Sequence, residues 1–137
     1  MILLDTHVVV WAAIEPKRLS RAASSALLRV RRGDGLAMAS ISLWEMASLF
    51  TRRRIETYGT IEASMRQVLE TVGIVVKPIT PEIALLAAQF PESYPLPESY
   101  PRDPGDRLIG ATARAEGLAL VTQDERIRSS PLLKTIW

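Results

Sequence analysis

Cysteine is absent from this 137-residue chain, and histidine occurs once, as His7. Disulfides, thiolate metal sites and zinc sites built from imidazoles are therefore excluded. Any metal must be held by oxygen, which suits hard cations such as magnesium or manganese. Long apolar runs are missing too. The longest, Val8 to Ile14, falls far short of the roughly 20 residues that span a bilayer. Met1-Ile2-Leu3-Leu4-Asp5 carries no basic region and places an acid where a secretion signal would be apolar. The expectation is a soluble, cytoplasmic protein without a membrane partner. An excess of either charge is also lacking. The formal net charge of +2 points only weakly to nucleic acid. Its distribution says more: 14 of the 17 basic residues are arginine, with clusters at Arg29-Arg31-Arg32 and Arg52-Arg53-Arg54. Guanidinium forks suit phosphate, although basic groups near helix ends also complement the helix dipole.

What is present is apolar: 47% of the residues are hydrophobic, enough to build a core over one domain spanning 1–137. Ile2-Leu3-Leu4 reads as a buried strand ending at an acid, and Val8 to Ile14 as a short helix ending before Pro16. Ser20 caps a helix to about Arg32, with Ala22, Ala26, Leu27 and Val30 at helical spacing. Gly33-Asp34-Gly35 is a turn, Leu36 to Ala39 a second strand, and Ile41 to Arg54 a helix that Ser40 or Ser42 can cap. Thr60 caps a helix from Ile61 to Val72, closed by Gly73, before a third strand at Ile74-Val75-Val76. Pro81 opens a helix to Phe90. Asp106 to Glu116 is a helix closed by Gly117, Leu118 to Val121 a fourth strand, and Ile136-Trp137 the end of a short fifth. Apolar strands alternating with helices predict an α/β fold whose parallel sheet is covered on both faces. Between the last two helices Pro91-Glu92-Ser93-Tyr94-Pro95 recurs as Pro97-Glu98-Ser99-Tyr100-Pro101, a small duplication in a surface loop.

The chain has five aspartates. Asp34 belongs to its Gly-Asp-Gly turn. Asp5 ends the first strand and Asp124 follows the fourth, the strand edge at which open parallel sheets bind ligands. Asp103 and Asp106 open the helix before the fourth strand. Glu45 lies four residues from both Ile41 and Leu49, on a core-facing stripe where an unpaired charge is costly. Each aspartate taken singly can be a helix cap. Asp5, Glu45, Asp106 and Asp124 gathered at one edge would repel one another and require a cation. Thr6 and Thr122 are placed to hydrogen-bond these carboxylates or a phosphate, although threonine at a turn commonly serves local structure. His7 reads as a packed or surface histidine, and Trp11, Trp44 and Trp137 as core or interface anchors rather than base-stacking platforms.

Leu3-Leu4-Asp5-Thr6-His7, Ser42-Leu43-Trp44-Glu45, Asp103-Pro104-Gly105-Asp106-Arg107-Leu108-Ile109 and Leu120-Val121-Thr122-Gln123-Asp124 occur in this order. Together they resemble PIN-domain ribonucleases of the VapC toxin type, as does the ending Lys134-Thr135-Ile136-Trp137. The resemblance implies a three-layer PIN-like domain with a five-stranded, mainly parallel sheet flanked by helices. It implies that Asp5, Glu45, Asp106 and Asp124 bind one or two Mg2+ or Mn2+ ions and hydrolyse RNA phosphodiester bonds, with Asp103 as an accessory acid. It further implies a homodimer, a toxin–antitoxin system, and a small VapB-like antitoxin that lays its C-terminal segment across the pocket. Arg52, Arg53, Arg54 and Arg107 are the candidates for holding the RNA backbone. The loop duplication, and Pro101 where many relatives carry histidine, depart from that pattern. Two other readings stand beside it. One is a catalytically silent module whose acids bind a basic partner peptide. The other is a response-regulator receiver, which would want adjacent acids after the first strand, whereas Asp5 is followed by Thr6.

Overall fold

Side-chain alternation along the strands decides the layering. Strand β1 (Ile2–Leu4) turns Ile2 and Leu4 to one face of the sheet and Leu3 to the other. Strand β2 (Leu36–Ala39) likewise turns Leu36 and Met38 to the first face and Ala37 and Ala39 to the second. Both faces are apolar, so both must be covered. In this computed structural model, which describes residues 1–89, 101 and 103–137, helices cover both. The first face packs against α1 (Thr6–Ile14), α2 (Arg21–Arg31), α3 (Ile41–Thr51) and α4 (Ile61–Val72). The second receives α6 (Pro104–Glu116) and α7 (Glu125–Arg128) through Ile109, Ala113 and Ile127. Helix α5 (Pro81–Gln89) packs on α6 through Ile83, Ala87 and Ala111.

The remaining strands are β3 (Ile74–Lys77), β4 (Leu120–Val121) and β5 (Thr135–Ile136). The order is β3-β2-β1-β4-β5, and every pairing is parallel. Ile2 stands opposite Leu36, and Leu3 opposite Leu120. The chain leaves β1 toward β2 on one side and reaches β4 on the other. Between β1 and β4 the order reverses, which opens a crevice beyond their carboxyl ends. A receiver-type sheet would run 2-1-3-4-5, so this order excludes that reading.

Helix α1 shows tertiary context overriding local preference. Val8, Val9 and Val10 disfavour helix through their branched side chains, yet all three and Trp11 are buried. A helix apolar nearly all round is held by the layers that enclose it.

Several expectations shift in detail. Ser20 and Thr60 cap α2 and α4 as expected, but Ser40 makes no side-chain cap bond and Ser42 is turned into the core. Ala23 rather than Ala22 faces inward on α2. Helix α3 stops at Thr51, so Arg52 to Arg54 follow it, and Arg53 takes a left-handed φ of 55°. Helix α6 begins at Pro104, earlier than expected, because Asp103 accepts from the amides of Gly105 and Asp106. The duplicated loop lies outside the described residues, apart from Pro101, which is buried.

Candidate active site

Four segments end at the crevice. Asp5 follows β1 and caps α1, its Oδ1 accepting from the Thr6 amide at 2.8 Å. Asp124 follows β4 and caps α7, its Oδ1 accepting from the Arg126 amide at 2.9 Å. Asp106 lies in the first turn of α6, which starts at this same edge. Glu45 reaches in from the second turn of α3. Asp5, Glu45, Asp103, Asp106 and Asp124 all line one cleft of about 870 Å³.

Buried hydroxyls fix two of these carboxylates. The Thr122 hydroxyl donates to Asp5 Oδ2 at 2.6 Å and accepts from the Asp124 amide at 3.1 Å, tying the ends of β1 and β4 together. The Thr6 hydroxyl donates to Glu45 Oε1 at 2.7 Å and stands 2.8 Å from Ser42 Oγ. Thr6, Ser42 and Thr122 are all buried, and no buried side-chain polar atom among the described residues lacks a partner. The two threonines thus contact the carboxylates, as their positions suggested. Gly105 is the close-approach point. A Cβ there would stand 2.7 Å from Glu45 Oε2 and 3.0 Å from Asp103 Oδ1.

The electrostatics favour the neutral form of three of these carboxyls. Burial pushes the Asp106 carboxyl up, and the charges of Asp5, Asp103, Glu45 and Asp124 push it further, to about 7. A helix N-terminus normally stabilises an anion by about 0.3–1 kcal/mol. Burial and four like charges outweigh that here. Burial raises Asp5 despite hydrogen bonds from Thr122 and Thr6, and it raises Glu45 despite the bond from Thr6, with Asp5 and Asp103 adding to the rise. Asp124 moves the other way. Burial pushes it up, but the Arg126 side chain and amide outweigh that and hold it below the ordinary carboxylate range. The Arg126 guanidinium donates to Asp124 Oδ2 at 3.0 Å and stands 3.9 Å from Asp106 Oδ2.

The donor set fits a hard divalent cation: oxygen ligands only, with like charges that raise one another's pKa. No three acidic or imidazole side chains among the described residues already converge on one metal position. Arg126 supplies positive charge between Asp106 and Asp124 in this arrangement. Sequence reasoning did not single out Arg126. The available signal was an arginine two residues after an acid at a helix start.

Two expected residues stand elsewhere. Arg107 donates to the carbonyls of Ala87 and Ala88 at 3.1 and 3.2 Å and so holds the end of α5. Of the Arg52–Arg54 cluster, Arg52 lines the acidic cleft, whereas Arg54 lines a neighbouring cleft of about 910 Å³ between α1, α3 and α4. That neighbour is walled by Val10, Trp11, Phe50 and Val68 and gathers no comparable set of acids. Trp11 is buried, with its ring 6.0 Å from Trp137 and under the Arg18 guanidinium at 4.4 Å. His7 is exposed beside Trp11. Trp44, read as a core or interface anchor, is 65% exposed and so is not part of the core. No helix among the described residues is long and apolar enough to cross a membrane.

A three-layer parallel domain with acids collected at its switch point defines a recognisable class, and the chain belongs to the PIN-domain family, whose model matches residues 2–131. Within that family it is similar to Ribonuclease VapC22 of Mycobacterium tuberculosis (strain ATCC 25618 / H37Rv). The two are 43% identical over 138 residues, 99% of this chain and 98% of that protein. Among solved structures the fold is similar to VapBC2 from Rickettsia felis bound to a DNA fragment from their promoter, at TM-score 0.71 and 19% identity, covering 98% of this chain and 97% of that one. It is also similar to VapBC-1 from nontypeable Haemophilus influenzae, at TM-score 0.70 and 17% identity, covering 98% and 96%.

Proposed function

We propose that this chain is a divalent-metal-dependent endoribonuclease, the toxin of a toxin–antitoxin pair, folded as a single domain over residues 1–137. The observation that carries this reading is the gathering of Asp5, Glu45, Asp106 and Asp124 in one cleft at the sheet edge, where burial and, after it, the neighbouring acids raise the Asp106 carboxyl to about 7. The name of the 43%-identical relative supports ribonuclease activity. The similar solved complexes support a VapB-like antitoxin as partner. Homodimerisation and a cytoplasmic location accompany this reading.

Asp5, Glu45, Asp106 and Asp124 would hold Mg2+ or Mn2+. Such an ion, when bound, lowers the pKa of a water and neutralises charge at the phosphate under attack. Thr122 and Thr6 hold Asp5 and Glu45 in fixed rotamers, which limits the reorganisation needed at the reacting phosphate. Asp103 fixes the start of α6 and thereby Asp106. No side chain in the cleft is a strong nucleophile, and the reaction needs none.

The purified chain, free of antitoxin, is expected to cleave RNA in Mn2+ and to lose that activity in EDTA. Cleavage unchanged by EDTA, or undiminished in Asp5→Ala, would refute the reading. One observation favours a second role for the same cleft. The Arg126 guanidinium already seats against Asp124 and Asp106, so an arginine of a basic peptide can bind there. A silent peptide-binding module would show no tight Mn2+ site by titration, whereas the nuclease would.

A further inference from the structure

Trp44 is 65% exposed, which leaves a large apolar surface in water. It directly precedes Glu45 and lines the same acidic cleft. Ser48 and Arg52 follow it at intervals of four residues, so the three form one stripe of α3 and its end, and all three line the cleft. The stripe runs about 12 Å, at 1.5 Å per residue. Arg52 is exposed, and its guanidinium has no ion-pair or hydrogen-bond partner among the described residues.

This inference rests on the ribonuclease reading and names a residue that positions its substrate. We propose that Trp44 is a stacking platform for an unpaired base of the RNA, with Arg52 holding a neighbouring phosphate, so that the strand crosses the carboxylates single-stranded. An indole offers its ring face to any base, and a nearby guanidinium suits the backbone, the pairing of groups by which proteins grip single strands. A duplex keeps its bases stacked on one another and has no free face to offer. The acids make this contact valuable. They repel phosphate until cations neutralise them, whereas stacking adds affinity that does not oppose their charge. The surroundings argue against a dry contact with another protein. Glu45, Ser48, Arg52 and Arg126 share this rim, and closing an apolar interface over it would bury the Arg52 guanidinium without a partner.

The test is steady-state cleavage of an unstructured oligoribonucleotide in Mn2+. Trp44→Leu is expected to raise KM about tenfold, within what one base stack contributes. Its kcat should stay within about twofold, because stacking away from the reacting phosphate is shared by ground and transition states. Trp44→Phe should recover most of the loss. A competing strand with several bases removed should inhibit wild type and Trp44→Leu equally. Four results would overturn the proposal: an unchanged KM in Trp44→Leu, equal KM for single strand and duplex, a base-free strand that still distinguishes the two proteins, or a change of oligomeric state on sedimentation that assigns Trp44 to a contact between copies. Absence of cleavage by the wild type in Mn2+ would defeat the ribonuclease reading, and this inference with it. Normal wild-type cleavage with an indifferent Trp44→Leu would defeat this inference alone.

Discussion

Asp106→Asn is expected to slow RNA cleavage by about three orders of magnitude, near the upper end for removing one preorganised electrostatic group, while raising the melting temperature of the metal-free protein by several degrees. The two effects share one cause. Burial and the neighbouring acids raise the Asp106 carboxyl from 3.8 to about 7. Its ionised form is therefore disfavoured in the folded state. Stability contributed by the neutral form is fully present below the unfolded value of 3.8, is lost as pH rises, and is gone above about 7. In EDTA the wild type should melt higher at pH 5 than at pH 8. The amide has no charge to lose, so Asp106→Asn should reduce this difference, leaving the part due to the raised Asp5 and Glu45, and should exceed wild type at pH 8. Asp124 does not blur the comparison. Its lowered pKa withdraws stability only in more acidic solution, as pH falls through its folded value. Saturating Mn2+ should stabilise wild type by mass action, and Asp106→Asn much less. Scanning calorimetry at the two pH values decides the matter. An Asp106→Asn protein that melts no higher than wild type at pH 8 in EDTA would show that the acids do not strain one another.

Gly105→Ala is expected to reduce cleavage about a hundredfold, although it adds one methyl group outside the set of acids. In a helix the change from glycine to alanine ordinarily stabilises by up to about 1 kcal/mol. Here the new Cβ would meet Glu45 Oε2 at 2.7 Å and Asp103 Oδ1 at 3.0 Å. Glu45 is the end of a side chain, but it is not free to swing, because Thr6 holds its other oxygen at 2.7 Å. The methyl must displace either this carboxylate or the first turn of α6 that carries Asp106. Misplacing a catalytic group by about 1 Å can cost on the order of 100-fold. A double-mutant cycle separates this route from general damage. If Gly105 acts through Glu45, the pair Gly105→Ala and Glu45→Gln should cleave no more slowly than Glu45→Gln alone. Full activity in Gly105→Ala would defeat the argument, and strictly additive losses would assign the effect to the first turn of α6 rather than to Glu45.

Glu45 could be read from the sequence because helical spacing alone puts it on the stripe of Ile41 and Leu49. Asp5 and Asp124 could be read because a strand's direction fixes which edge its last residue meets. Asp106 was less accessible: its place depends on which edge α6 starts from, a tertiary fact. The choice between cap and site acid also proved false as an alternative. Asp5 gives one oxygen to the Thr6 amide and the other to Thr122, and so caps a helix while facing the cleft. Arg107 was read only as a phosphate contact, because the carbonyls of Ala87 and Ala88 that it holds lie across the α5–α6 contact. For Trp44 the sequence left core and interface open, because hydropathy does not separate them and no local pattern marks a tryptophan left at a rim. Helix α7, from Glu125 to Arg128, is too short for periodicity to reveal.

The Thr122–Asp5 hydrogen bond joins residues 117 positions apart. A chain that had assembled only β1, β2 and β3 would hold Asp5 and Glu45, but its cleft would lack one wall. Contacts so distant in sequence carry a large loop-closure cost and tend to form late. Enzymatic competence should therefore emerge only with the final cooperative step of folding, so that a half-folded chain is harmless to the RNA around it.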